Sequence, residues 1–86
     1  MSDFWDESIL RAEQSAASGD YAEAEDILLK LIKFTEDLPR EDKRKFIVLE
    51  LMAELMEAQQ RYPDTELYLK KALELRKQRY GSLHRR

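Results

Sequence analysis

The sequence has no cysteine, and this absence excludes disulfide bonds, thiol catalysis and the usual structural zinc sites together. Histidine occurs once, at His84, so neither a catalytic base nor the Glu-x-x-His pair of a helical metal site is recognisable. A glycine-rich phosphate loop is also missing. We therefore expect no enzyme activity, no cofactor and no metal site.

Long apolar runs are missing as well. The longest uninterrupted ones include residues 46–49 and 27–29, far short of the roughly 20 residues of a membrane helix. The N-terminal residues are acidic and lack the basic and apolar regions of an export signal. Acidic side chains outnumber basic ones by 18 to 15, and 43% of residues are hydrophobic, which is too many for a disordered chain. A cytoplasmic protein that contacts no membrane is predicted.

Glycine and proline are scarce, with two of each in 86 residues, and they divide the chain into four segments of helix length. These breakers are Gly19, Pro39, Pro63 and Gly81. Between them, leucine, alanine, glutamate and lysine predominate, and apolar residues recur every three or four positions, which favours helices over strands. We predict an all-α fold of four antiparallel helices, in one domain over residues 1–81 with a frayed tail at 82–86.

Local signals predict how the helices begin. Asp20 is expected to cap the second helix through its carboxylate, while the side chain of Glu23 reaches back to the N–H of Asp20. Pro39 and Pro63 are expected at the first positions of the third and fourth helices. The N–H at a first helical position has no partner within the helix, so proline, which lacks this N–H, loses no hydrogen bond there.

The two halves of the chain repeat one pattern at a separation of 41 residues. Residues 19–25 and 60–66 each follow a predicted helix and open the next one, and Tyr21 corresponds to Tyr62. Matching small or apolar residues follow three, seven and ten positions after each tyrosine, on one helical face. Because a helix pair cannot bury such a face alone, these positions are expected to hold neighbouring helices together.

This pattern resembles the tetratricopeptide repeat, a helix-turn-helix unit that stacks into a right-handed superhelix and serves as a protein-binding scaffold or adaptor. The second half, over residues 52–84, is similar to the longer repeats of kinesin light chains. The resemblance implies two hairpins, at about residues 3–37 and 40–80. The packing positions that it implies are Ala12, Gly19, Tyr21, Ala24, Leu28, Ala53, Tyr62, Leu69 and Ala72. The first half departs from the family at Ser8, Arg11 and Ser15, where apolar residues are preferred.

The resemblance also implies a concave groove formed by the first helix of each hairpin. Its contact positions are Asp6, Ile9, Glu13, Ile47, Glu50, Glu54 and Glu57, with Ala16, Ala17 and Ala58 beside them. Three of the glutamates recur at i, i+4 and i+7, so the groove is expected to be acidic and to suit a basic or amphipathic segment of another protein. The alternative is that these glutamates form an ordinary solvated helix face.

Charge is uneven along the chain. Residues 1–40 carry 10 acidic and 4 basic side chains, whereas residues 41–86 carry 8 acidic and 11 basic ones. A candidate basic patch on the fourth helix consists of Lys70, Lys71, Arg76 and Lys77. This patch makes association with nucleic acid the alternative function. The negative net charge and the lack of a recognition-helix signature favour a protein partner instead.

Two hairpins are fewer than the three or so repeats of a stable solenoid. The last apolar face therefore needs a cover. A second copy of the chain in a homodimer would supply one, and so would a different protein. Closure of the four helices into a compact bundle is the third alternative.

Overall fold

In the computed structural model, the described residues are 3–80, and they form four α-helices without a strand. The helices are α1 (Phe4–Ala17), α2 (Tyr21–Thr35), α3 (Arg44–Ala58) and α4 (Tyr62–Tyr80). The prediction of an all-α fold is confirmed. The predictions for Gly81, His84 and the tail lie outside the described residues. Among the residues described, no helix has the length and apolar character needed to cross a membrane.

Carboxylates cap the two helices of the first hairpin. Asp3 accepts a hydrogen bond from the N–H of Asp6 at 2.8 Å, and Asp20 accepts one from the N–H of Glu23 at 3.1 Å. The cap predicted at Asp20 is confirmed. The predicted return bond from the Glu23 side chain is wrong, because the N–H of Asp20 donates to the carbonyl of Ser15 at 2.8 Å instead.

Both hairpins turn through a residue in the left-handed backbone region. Gly19 has a φ of 89° in the first turn, and Gln60 has a φ of 60° in the second. The two residues are 41 positions apart, so the repeat holds for backbone conformation as well as for sequence. Glycine adopts this conformation without steric cost, whereas glutamine does not.

The predicted start of α3 is wrong, because this helix begins at Arg44 rather than at Pro39. Residues 39–43 form turns in which the N–H of Asp42 donates to the carbonyl of Pro39 at 3.0 Å. The Asp42 carboxylate then accepts from the N–H of Arg44 at 3.0 Å, which satisfies a donor that the first turn leaves free. α4 begins at Tyr62, so Pro63 is its second residue rather than the predicted first one, still within the first turn, where proline is tolerated.

The four helices form an open row. α1 packs on α2, α2 on α3, and α3 on α4, and no comparable packing joins α1 to α4 within the described residues. A closed four-helix bundle would place α1 beside α4. The structure therefore corresponds to two adjacent hairpins rather than to the closed bundle.

α3 is the centre of the hydrophobic core, because it lies between α2 and α4. It buries residues around most of its circumference, and Val48, Met52 and Met56 are at most 1% exposed. The other buried residues of α3 are Phe46, Leu49, Ala53 and Leu55. Leu31 of α2 is also fully buried, in the same hydrophobic core as these residues of α3.

The packing positions implied by the sequence pattern divide into two groups. Within the core lie Ala12, Ala24, Leu28, Ala53 and Ala72, and Tyr21 is half-buried beside them. Gly19, Tyr62 and Leu69 need correction: Gly19 is exposed in the turn between α1 and α2, and Tyr62 and Leu69 are 59% and 50% exposed. The side of α4 that carries Tyr62 and Leu69 faces away from α3, and no described helix comes after α4 to cover it.

Candidate partner-binding groove

An apolar groove of about 200 Å³ lies between α1 and α3, with α2 as its floor. The lining residues are Ile9, Ala12, Glu13 and Ala16 from α1, Ala24 and Leu28 from α2, and Leu51, Glu54, Leu55 and Ala58 from α3. Both walls use positions spaced i, i+3, i+4 and i+7, which is one face of a helix. The two helix faces therefore point at each other across the groove.

Small side chains keep this groove open. Ala12 and Ala16 of α1, Ala58 of α3 and Ala24 of α2 are among the residues that line it. Alanine ends at its Cβ atom, so these positions leave space that larger side chains would fill. Ala58 is exposed and Ala16 is half-buried, which shows that the space is open to solvent at this end.

Two glutamates form the acidic rim of the groove. Glu13 on α1 and Glu54 on α3 both line it and are exposed. Neither takes part in an ion pair within the described residues. The two negative charges are therefore available to a cationic group that enters the groove.

Only part of the predicted contact set lies in the groove. The structure brings together Ile9, Glu13 and Glu54 there, along with Ala16 and Ala58. The remaining predicted positions, Asp6, Ala17, Ile47, Glu50 and Glu57, do not line it.

Several of the excluded positions have a clear physical reason. Asp6 lies in the first turn of α1, nearly one turn before Ile9, which is the first residue of α1 that lines the groove. Ile47 is half-buried against the core. Glu50 points towards α4 and forms an ion pair with Arg76. The predicted row of three glutamates is thus divided. At about 100° per residue, Glu54 lies at the edge of the groove face of α3, whereas Glu50 and Glu57 lie about 40° and 60° beyond that edge.

Leu51 and Leu55 are groove residues that the sequence pattern did not assign to the groove. They belong to a second apolar stripe of α3, beside the one that the helical spacing places in the core. Leu55 is 5% exposed and Leu51 is half-buried, so both contribute to the core and to one wall. The signal that could have identified them is the spacing of residues 51, 54, 55 and 58, which matches residues 9, 12, 13 and 16.

The candidate basic patch on α4 is not a single surface. Lys70, Lys71 and Lys77 are exposed, but Lys70 and Lys71 are adjacent and therefore point about 100° apart. Arg76 is engaged within the fold, since it pairs with Glu50 and its guanidinium lies 4.3 Å above the ring of Phe46. Three lysines remain for any contact with phosphates.

Arg44 joins the first turn of α3 to aromatic residues of the first hairpin. Its guanidinium binds the Asp42 carboxylate through two hydrogen bonds of 3.0 and 2.7 Å. This bonding raises the pKa of Arg44 above its usual value. The same guanidinium lies 5.9 Å from the rings of Trp5 and Phe34, and Phe4 packs edge-on against Phe34 at 5.7 Å.

Arg61 connects α2 to the start of α4. It donates hydrogen bonds to Asp64 at 3.1 Å and to Glu25 at 3.2 Å. The bond to Asp64 is the main cause that raises the pKa of Arg61 above its usual value. Like Arg44, this arginine is paired with carboxylates of its own chain, so its role is to hold helices together.

Within residues 3–80, no group of three or more acidic or histidine side chains converges on a position that could hold a metal ion. Comparison with known proteins yields no matching family model, no matching curated protein and no matching solved structure. The features that bear on function are therefore the geometry and charge of the groove, together with the repeat pattern of the sequence.

Proposed function

We propose that the protein is a non-catalytic interaction module that binds a basic, amphipathic segment of another protein in the groove between α1 and α3. The observation that supports this proposal is the combination of apolar walls with an unpaired acidic rim at Glu13 and Glu54. Apolar side chains of the segment would pack on Leu51 and Leu55, and its lysines or arginines would meet the rim.

The size of the groove favours a peptide segment over a small-molecule ligand. Its volume of about 200 Å³ is below the roughly 300–1,000 Å³ of typical small-molecule sites. A groove of this size accommodates one or two anchoring side chains of a longer segment. The rest of the segment would lie along α1 and α3 and contact the rim.

The tetratricopeptide-like interpretation of the sequence supports the same site. It assigns the partner groove to the first helix of each hairpin, and these helices are α1 and α3. Under this proposal the protein is a cytoplasmic adaptor with a repeat-like scaffold. Its apolar anchors give affinity, and its acidic rim selects basic partners and accelerates their association.

The test uses a synthetic amphipathic helical peptide of leucine and lysine as the probe. We expect its titration into the ¹⁵N-labelled full chain to shift backbone amide signals of residues that line the groove. Ala58→Trp should fill the groove and weaken binding at least about tenfold, or roughly 1.4 kcal/mol. The matched control is Ala22→Trp, because Ala22 is also an exposed helical alanine but lies outside the groove.

A second pair of variants tests the acidic rim. Glu54→Lys should weaken binding of the probe, whereas Glu57→Lys should change it much less, since Glu57 does not line the groove. A peptide with glutamate in place of lysine should not bind. Binding that is indifferent to both Ala58→Trp and Glu54→Lys would contradict the proposal.

Association of α4 with nucleic acid remains the second candidate, because Lys70, Lys71 and Lys77 are exposed and without ion pairs among the described residues. Retention on heparin distinguishes the two functions. A nucleic-acid function requires strong, salt-dependent retention that replacement of these three lysines by alanine abolishes. The groove proposal predicts weak retention and unchanged binding of the leucine–lysine peptide in the same variant.

A further inference from the structure

α4 carries an exposed apolar stripe that no described helix covers. Tyr62, Leu69 and Leu73 are 59%, 50% and 57% exposed. They are spaced i, i+7 and i+11, which places them on one face of the helix. Glu66 lies on the same face, since Tyr62, Glu66 and Leu69 line one shallow depression. The opposite flank of α4 packs on α3 through Tyr68, Ala72 and Leu75.

The first hairpin shows how such a stripe is covered. Positions 41 residues earlier are Tyr21, Leu28 and Ile32 in α2. Leu28 is 4% exposed, and the other two are half-buried, because α3 packs on α2. The same face is therefore covered by a helix in one half of the molecule and open in the other.

Charged residues lie at both ends of the stripe. Glu66 is near its N-terminal end and Lys77 near its C-terminal end, and both are exposed. Neither forms an ion pair within the described residues. By contrast, Glu25, which is equivalent to Glu66 in the repeat, is paired with Arg61 at 3.2 Å. The charged residues beside the open stripe thus have no ion pair among the described residues, whereas Glu25 on the covered face has one.

We propose that the stripe docks on the same stripe of a second copy of this chain, with the two α4 helices antiparallel. In this arrangement Leu69 packs against Leu73 of the second copy, and Glu66 pairs with Lys77 of the second copy. Both pairings are centred near residue 71, so one two-fold axis satisfies them together. A parallel arrangement would place each Glu66 beside its symmetry equivalent, which like-charge repulsion disfavours.

The dimer is independent of the proposed partner groove. α4 contributes no residue to the groove between α1 and α3, so both surfaces can be occupied at once. Failure of one proposal therefore leaves the other unaffected. A dimer would present two acidic grooves to partners, which raises the avidity for a partner that carries two basic segments.

The test is the solution mass of the full chain, measured by light scattering and sedimentation over a dilution series. The expected result is a concentration-dependent rise to twice the chain mass of 10.3 kDa. Leu69→Glu should weaken the dimer at least about tenfold, because it buries a charge in the contact. The matched control is Leu67→Glu, because Leu67 is similarly exposed, at 49%, but points away from the stripe. This variant should leave the mass unchanged.

Charge exchange tests the antiparallel register. Glu66→Lys and Lys77→Glu should each weaken the dimer, because like charges then meet across the axis. The double variant should restore it. The proposal is overturned by a monomer at every concentration, by equal effects of Leu69→Glu and Leu67→Glu, or by a double variant that stays as weak as the single ones. Circular dichroism of each variant verifies that helix content is unchanged.

Discussion

The two hairpins share one sequence pattern, yet the second helix of each has a different environment. Leu28 in α2 is 4% exposed, whereas Leu69, at the equivalent position of α4, is 50% exposed. The difference arises from the number of neighbours in the row of helices, since α2 packs between α1 and α3 whereas α4 packs on α3 alone among the described helices. Equivalent residues of a repeat are thus equivalent in helical position but not in burial.

The turns of the two hairpins show the opposite relation. Their backbone conformation is the same, with a left-handed residue at Gly19 and at Gln60. Their side-chain chemistry differs, because Asp20 caps α2 whereas the equivalent Arg61 binds Asp64 and Glu25. The two turns therefore have the same backbone conformation but different stabilising interactions. Variants in both halves can measure how much each interaction contributes to the free energy of unfolding.

The largest expected effect comes from truncating the equivalent leucines. Leu28→Ala should lower the free energy of unfolding by about 3 kcal/mol, because it leaves a cavity in the core. Leu69→Ala should lower it by less than about 0.5 kcal/mol, as expected for an exposed site. Urea denaturation at low micromolar protein concentration measures both. Similar losses at a protein concentration where light scattering shows a monomer would mean that the Leu69 face of α4 is covered within the single chain.

Exchange of the left-handed residues should change stability in opposite directions. Gln60→Gly should raise the free energy of unfolding by about 1 kcal/mol, because glycine has no strain at positive φ. Gly19→Ala should lower the free energy of unfolding by about 1 kcal/mol, because alanine is strained at positive φ. Steric clashes should add nothing, since a Cβ atom at this position meets no neighbour within 4 Å. Thermal and urea denaturation measure both changes. Equal signs for the two variants would contradict the shared turn conformation.

Removal of the helix cap should have a smaller effect. Asp20→Ala should destabilise the protein by about 0.5 to 1 kcal/mol, because the N–H of Glu23 loses its acceptor. Asp20→Asn is the matched control, since asparagine retains a capping oxygen and should cost little at neutral pH. A loss in the asparagine variant as large as that in the alanine variant would show that charge, rather than the hydrogen bond, is responsible.

The smallest expected effect concerns the ion pair between Glu50 and Arg76, which joins α3 to α4. The first half has Ile9 and Thr35 at the equivalent positions, so this contact is specific to the second hairpin. A double-mutant cycle with Glu50→Gln and Arg76→Gln should give a coupling of about 0.5 kcal/mol, as for other exposed pairs. The coupling should fall in high salt. A coupling that salt does not change would contradict an electrostatic origin.

Several features of the fold were predictable because they depend on neighbouring residues alone. The apolar spacing and the scarcity of glycine and proline predict the four helices, and Asp20 predicts the cap of α2. The start of α3 was not predictable in the same way. Pro39 is an adequate first residue of a helix, but Asp42 satisfies the first-turn donor of a helix that begins at Arg44. Two local signals competed, and their relative strength depended on the turn geometry.

The candidate groove was likewise predictable only in part, because some of its features depend on helix packing and not on the sequence alone. The resemblance of the repeat pattern to the tetratricopeptide repeat implies groove positions at Ile9, Glu13 and Glu54, and these three residues line the groove. The direction of Glu50 towards Arg76 depends on where α4 lies, so the sequence alone could not separate it from Glu54.

By itself, the sequence determined the helices, their polar and apolar faces, and the 41-residue repeat, because these depend on local propensity and periodicity. Only the tertiary structure decided that α1 and α4 stay apart, that a groove opens between α1 and α3, and that Leu69 is exposed while Leu28 is buried. The physical reason is that burial depends on which helices become neighbours in space. Neighbouring helices are selected by the packing of many side chains at once, which no single position of the repeat encodes.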